Sequence, residues 1–160
     1  IELPVFEALV QTAREVGITF SGHVPIAVGV RRAIDFGYAS IDHIDGYVEG
    51  LVPTAANVDP NAGGLFGIDF THVADIKIIP DLVAKTKEKG IWVVPTQALL
   101  ERWTSPLTGD QIMAEPEMAY MNPSVRYQWR GAKAQILGAN YDPEKGKKFV
   151  DIRRQLLRQM

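Results

Sequence analysis

The chain contains no cysteine, has only three histidines among its 160 residues, and carries a formal net charge of −2. Without cysteine there is no disulfide framework and no thiolate metal centre. The absence leaves the compartment open, cytosolic or exported, because proteins of both kinds do without it. The slightly acidic balance supplies no basic field to recruit nucleic acid or an anionic membrane. No apolar run approaches the roughly 18 residues of a membrane-spanning helix. The opening does not read as a signal peptide, and with Ile1 in first place an earlier-removed leader stays open. Low-complexity tracts and linker-like stretches are missing too.

What is present is material for a core. The hydrophobic share is 46%, enough for one globular domain. Both ends read as helix. "IELPVFEALV" enters one at once, and "KFVDIRRQLLRQM" places Phe149, Ile152, Leu156 and Met160 at helical spacing with no Gly or Pro stop after them. The expectation is a piece of a longer chain. The basic residues around "KGKK", with Arg153, Arg154 and Arg158, read as the wet face of that last helix.

Three segments share one plan. Pro4 to Val16 carries Val5, Leu9, Ala13 and Val16 at the spacing of one buried helical stripe. Gly17 follows, suited to a left-handed helix stop, and then the short strand "ITFSGH". The second copy runs from Ile26 through Ile34 to Gly37 and "YASIDH". The third begins at Pro80, passes Leu82 and Val83, stops at Gly90 and gives "IWVVPT". From the glycine to His23, to His43 and to Thr96 the count is six residues each time. Helix–Gly–strand alternation of this kind predicts an α/β fold with a parallel sheet. The loops beyond the carboxyl ends of such strands form the functional face, so His23, His43 and Thr96 are expected at equivalent positions on it. Residues 47–75 and 97–143, rich in Gly, Pro, Asn and Asp, read as long irregular loops after the second and third strands, with a helix around Val125 to Leu137.

Two histidines at matching strand ends suit a divalent metal, since neutral imidazole is a good zinc ligand and strand ends hold ligands at fixed separation. A lone histidine is more often a hydrogen-bonded structural group; the matched register is what favours a site here. His72, in "IDFTHVAD", is not counted as a ligand. Asp42 and Asp45 either orient His43 or stand in solvent; Asp45 reads as solvated, and Asp42 is left between the two. Tyr47, Trp103, Tyr120, Tyr127 and Trp129 follow strand ends, where aromatic walls would suit a dipeptide or ring substrate, although packing of the loops accounts for most of them equally well.

"SGHVP", "ASIDHIDGY" and "WVVPT", in this order and spacing, resemble strands five, six and seven of the metal-dependent amidohydrolases, in the imidazolonepropionase and Xaa-Pro dipeptidase branch. "PTQALLERW" and "MNPSVRYQW" resemble the same branch, so the likeness spans nearly the whole chain. It implies that residues 1–160 form a central part of a (β/α)8 TIM barrel, with parallel strands and long βα loops. It further implies His23 and His43 as metal ligands, one or two zinc-like ions, and an amide or peptide substrate, with Thr96, Tyr47 and Trp103 as substrate-binding candidates. The family's HxH pair, its bridging Lys or Glu and its strand-eight Asp, the general base, are not in this sequence. No catalytic residue is therefore assigned within it, and the chain alone is expected to be inactive and to associate as a homo-oligomer through open sheet edges. The competing reading is a non-catalytic α/β domain that binds a partner or itself, with the histidines incidental.

Overall fold

The structure, a computed structural model, describes residues 1–138 and 140–160. Helix α1, Leu3–Val16, leads to strand β1, Ser21–Gly22; α2, Gly29–Phe36, to β2, Ser40–Asp42; and α3, Ile79–Glu88, to β3, Trp92–Val94. The strands form one parallel sheet in the order β1-β2-β3. The result is a mixed α/β fold, mostly helical, around a short three-stranded parallel sheet. Helices α1 and α2 end on Gly17 and Gly37 at φ 72° and 85°, a left-handed turn that only glycine adopts without strain. Gly90, at φ 65°, makes the same turn one residue after the Lys89 cap of α3.

The ladder refines the count of six. Ser21, Ser40 and Trp92 pair across the sheet, yet they stand four, three and two places after their stop glycines. Each strand is therefore slipped by one residue against its neighbour. Continuing the ladder by one step sets His23 level with Asp42 and Val94, not with His43. The equal spacing from the glycines is real, but the stagger of the sheet removes the equivalence it suggested.

One face of the sheet is packed. Ile41 is fully buried, as are Val30, Ile34, Ile79, Leu82 and Leu51 of the core. On the other face Trp92 and Val94 are 78% and 50% exposed. The stripe expected on α1 is also corrected: Val5 and Val16 are exposed, and the buried residues are Phe6, Val10 and Ala13. Phe6 decides the matter. Its ring meets Phe20, Phe36 and Tyr38 at centroid distances of 6.1, 5.6 and 5.8 Å. Such aromatic contacts add to the area that the ring buries, which the aliphatic stripe one residue away cannot match.

Contacts divide the chain into two compact units, residues 1–96 with 151–160, and residues 97–150. The second stretch that reads as a loop is largely helical: α4, Gln97–Thr104; α5, Gly109–Met113; and α6, Pro123–Ile136, the helix expected around Val125. The signal for α5 is a capping box. Thr108 Oγ1 accepts from the Gln111 N–H while Gln111 Oε1 accepts from the Thr108 N–H. Lys133 of α6 is buried, and its ammonium donates to the carbonyls of Arg102, Trp103 and Ser105 at 3.0, 2.6 and 2.6 Å. A cation there closes the carbonyl end of α4. The last helix, α7, Pro143–Gln159, has residues in both units.

Among the described residues no helix is long and apolar enough to cross a membrane.

Candidate functional site

The strand ends gather a compact polar group. β2 stops at Asp42, and His43 and Ile44 both turn to positive φ, 57° and 50°. The Asp45 N–H then closes the turn onto the Asp42 carbonyl at 2.9 Å. Thr96, beyond β3, also has positive φ, 50°. For β-branched Ile44 and Thr96 this region is disfavoured, at a cost of about 1–3 kcal/mol each. Such strain persists only where the surroundings fix it, and here they do: Ile44 is buried, and the His43 N–H donates to the Val94 carbonyl at 2.5 Å.

The His23 and His43 rings face one another with centroids 4.8 Å apart. His23 Nδ1 lies 2.6 Å from Asp45 Oδ2, a carboxylate that can only accept, so Nδ1–H donates and Nε2 is left as the lone-pair nitrogen of the neutral ring. His43 Nδ1 lies 2.6 Å from Thr96 Oγ1. With Nδ1–H donating there, its Nε2 is likewise open. Each imidazole is thus oriented through one nitrogen by a partner on the protein, the arrangement that fixes tautomer and ring direction in metal-ligating histidines. Phe66 covers His43 edge-on at 5.5 Å. The Tyr38 hydroxyl donates to the His23 carbonyl at 3.0 Å; burial first, and then Asp45, push this phenol up to about 12, so it stays a donor.

Two expectations about the acids and aromatics change. Asp45 is not solvated: only 6% of it is exposed, and it orients His23 rather than His43. Tyr47 is not in a substrate wall. It is fully buried, with its hydroxyl 2.9 Å from Thr86 Oγ1 on α3, because the turn after β2 sends it back into the core. Thr96 stands at the site and is engaged with His43. Trp103 is half-buried on α4 of the second unit, its carbonyl taken by Lys133. Asp42 is half-buried. His72 is exposed, with Nδ1–H donating to the Asp69 carbonyl.

Arg153 was expected on a wet helical face and is instead completely buried. Its guanidinium donates to the Pro95 carbonyl at 2.7 Å, one residue before Thr96, and its charge acts on Glu49. Glu49 itself was missed, although it stands four residues after Asp45 in a turn of 3-10 helix, Glu49–Leu51. Burial, the larger cause, and the Asp45 charge hold its carboxyl above the usual range.

The donor set fits a divalent ion in kind: two imidazoles, each oriented through Nδ1. It does not fit in number. Among the described residues no group of three His, Cys, Asp or Glu is placed to hold an ion, whereas a catalytic zinc takes three protein ligands.

No family model and no curated protein matches this chain. Among solved structures the chain is similar to a bottromycin amidohydrolase, at 24% identity and a TM-score of 0.49 over 98% of this chain and 31% of that one. This chain therefore spans less than a third of the length of the protein it matches.

Proposed function

We propose that His23 and His43 are two ligands of a divalent metal, zinc by donor type, in a hydrolase that cleaves C–N bonds of amides or peptides. The observation that carries the reading is the facing pair of rings, 4.8 Å apart, each held through Nδ1. An ion bound there supplies polarisation of a carbonyl and a water acidic enough to ionise near neutral pH. The chain's own residues bind and orient. Asp45 and Thr96 fix the two rings, and Phe66 shields His43 from bulk water. Thr96 acts on His43 more than on substrate, since its hydroxyl is already engaged. A substrate-wall role for Trp103 rests on its place after the third strand alone. The substrate class, cyclic amides or dipeptides, rests on the sequence resemblance to imidazolonepropionases and Xaa-Pro dipeptidases. The one-residue slip at each strand supports a (β/α)8 barrel, because a shear of 8 spread over eight strands averages that stagger.

Two ligands fall short of a catalytic set, so the chain alone binds an ion and turns over no amide. Titration of zinc into the chain at neutral pH tests the reading. Uptake of one ion per chain, lost in both His23→Ala and His43→Ala, is the expected result. No uptake by the folded chain, or equal uptake by the alanine variants, overturns it.

A second reading is favoured by the exposure of Trp92 and Val94 on the uncovered sheet face: association of chains through that face, with the histidines incidental. Apolar surface of this kind marks interaction sites. Sedimentation at increasing concentration separates the two, since a persistent monomer that binds zinc supports only the first.

A further inference from the structure

A cavity of about 480 Å³ opens within residues 24–70, in the size range of small-molecule sites. Two of its wall residues also touch the histidine pair. Phe66 packs edge-on against His43 at 5.5 Å, and Asp45 holds His23 at 2.6 Å. The rest of the wall is mostly apolar, with Val24, Ile26, Val52, Val58 and Phe70 among its residues. It offers a ligand little free charge. Among the described residues no Lys, Arg or His lines it. Asp45 is buried, with Oδ2 taken by His23 and Oδ1 sealed from water. Glu49 Oε2 is sealed as well, on the side of Gly67, which is outside the wall. Phe66 stands at φ 52°, a conformation disfavoured for a bulky residue and one that recurs at ligand clamps. Its ring belongs to the histidine pair and to the cavity at once.

Resting on the metal-hydrolase reading of His23 and His43, we propose that this cavity is the side-chain pocket of the same site, and that it takes an uncharged aromatic or branched aliphatic side chain of the amide substrate. An apolar side chain gains by leaving water for such a wall. A charged one would shed its water with no partner in place, which is costly. A cation finds Asp45 already engaged by His23, and an anion finds two acids and no basic side chain. The other polar side chains of the wall, Thr54 and Asn57, are exposed and uncharged. Phe66 is then the residue that ties specificity to the histidines, because one ring meets both.

The N-acetyl amides of phenylalanine, leucine, glycine, lysine and glutamate are suitable probes, since they share one backbone and differ in the side chain. Each is titrated into the full chain with a metal chelator present, followed by the NMR ring signals of Phe66, Phe70 and His43. The phenylalanine and leucine amides are expected to bind at least about tenfold tighter than the glycine amide, a gap of about 1.4 kcal/mol. The lysine and glutamate amides should bind no tighter than glycine's, and the three ring signals should shift together. Val58→Trp, which fills the cavity from a half-buried wall position, should remove the gap. Equal affinity for the phenylalanine and glycine amides in the unmodified chain, or tighter binding of a charged one, overturns the proposal. So does binding that moves Phe70 and leaves His43 unmoved. None of these results depends on whether the variant folds. Zinc uptake without an apolar preference sinks the pocket alone, and an apolar preference without zinc uptake sinks the metal reading alone.

Discussion

Replacing Arg153 by methionine is the most informative perturbation, because it keeps an unbranched apolar stem and removes the guanidinium with its charge and donors. Arg153 is fully buried, donates to the Pro95 carbonyl at 2.7 Å and compensates part of the Glu49 charge. A hydrogen bond to a charged group is worth about 1.5–3 kcal/mol. Arg153 is the smallest of the causes that act on the Glu49 carboxyl, so the cost of about 3–5 kcal/mol for breaking a buried charged pair is an upper bound here. Part of this is offset by the desolvation that Arg153 itself no longer suffers. The expected loss is therefore about 3 kcal/mol, measured by urea unfolding followed by circular dichroism. A second cycle isolates the electrostatic part: with Glu49→Gln already present, Arg153→Met should cost at least about 1 kcal/mol less, the difference being the coupling of the two charges. The same variant should broaden the His43 ring signals, since the Pro95 carbonyl and the Thr96 hydroxyl stand on consecutive residues. A loss under about 1 kcal/mol with zero coupling would refute the reasoning, for it would mean that a buried guanidinium is held there by packing alone.

Three further outcomes follow from the same contacts. Lys133→Met removes the ammonium from the Arg102, Trp103 and Ser105 carbonyls, the first of which keeps the Ser105 hydroxyl as donor, and should lower the thermal stability of the second unit by about 3 kcal/mol; a loss below about 1 kcal/mol counts against the capping role. Phe6→Ala should cost about 3–5 kcal/mol while Val5→Ala, at an exposed position, stays within about 0.5 kcal/mol, and a reversed order by chemical denaturation would restore the other stripe of α1. Glu49 holds its proton in the folded chain at pH values where the unfolded chain has lost it, so its contribution falls as pH rises from the ordinary value of 4.5 through the raised one. Glu49→Gln should accordingly stabilise the chain at neutral pH and have a smaller effect below pH 4.5, and a stability gain that is the same on both sides refutes the shift.

Much of the sheet-bearing unit was legible because its punctuation is chemical. Gly17, Gly37 and Gly90 mark helix stops that need positive φ, and the apolar runs after them have strand composition. The choice between two stripes on α1 was not legible. Val5, Leu9 and Val16 satisfy helical spacing as well as Phe6, Val10 and Ala13 do, and only the partners Phe20, Phe36 and Tyr38 decide between them. Arg153 was hidden for the opposite reason: a basic residue on an amphipathic helix reads as solvated unless a distant carbonyl, here on Pro95, is known to wait for it. Asp45 depended on the turn. In an extended chain it falls on the same side as His43, two residues on, and the left-handed residues His43 and Ile44 turn it to His23 instead. The helices of the second unit were obscured by proline-rich connections, although the T-x-x-Q box at Thr108 was a usable sign.

The strained residues tie these contacts into one argument. His43, Ile44 and Thr96 each occupy a backbone conformation that a regular strand end would avoid. A chain relieved of that strain would continue β2 and β3 outward, and the His43 ring would lose its place beside both Thr96 and His23. What holds the strained form lies beneath the site. Arg153 grips the carbonyl before Thr96, the His43 N–H is bound to Val94, Tyr38 holds the carbonyl of His23, and Ile44 is buried. These contacts hold the backbone on either side of the two imidazoles. Polar groups buried at a cost beneath two open ring nitrogens are what a preformed ligand pair requires, since each histidine must keep its direction before any ion arrives.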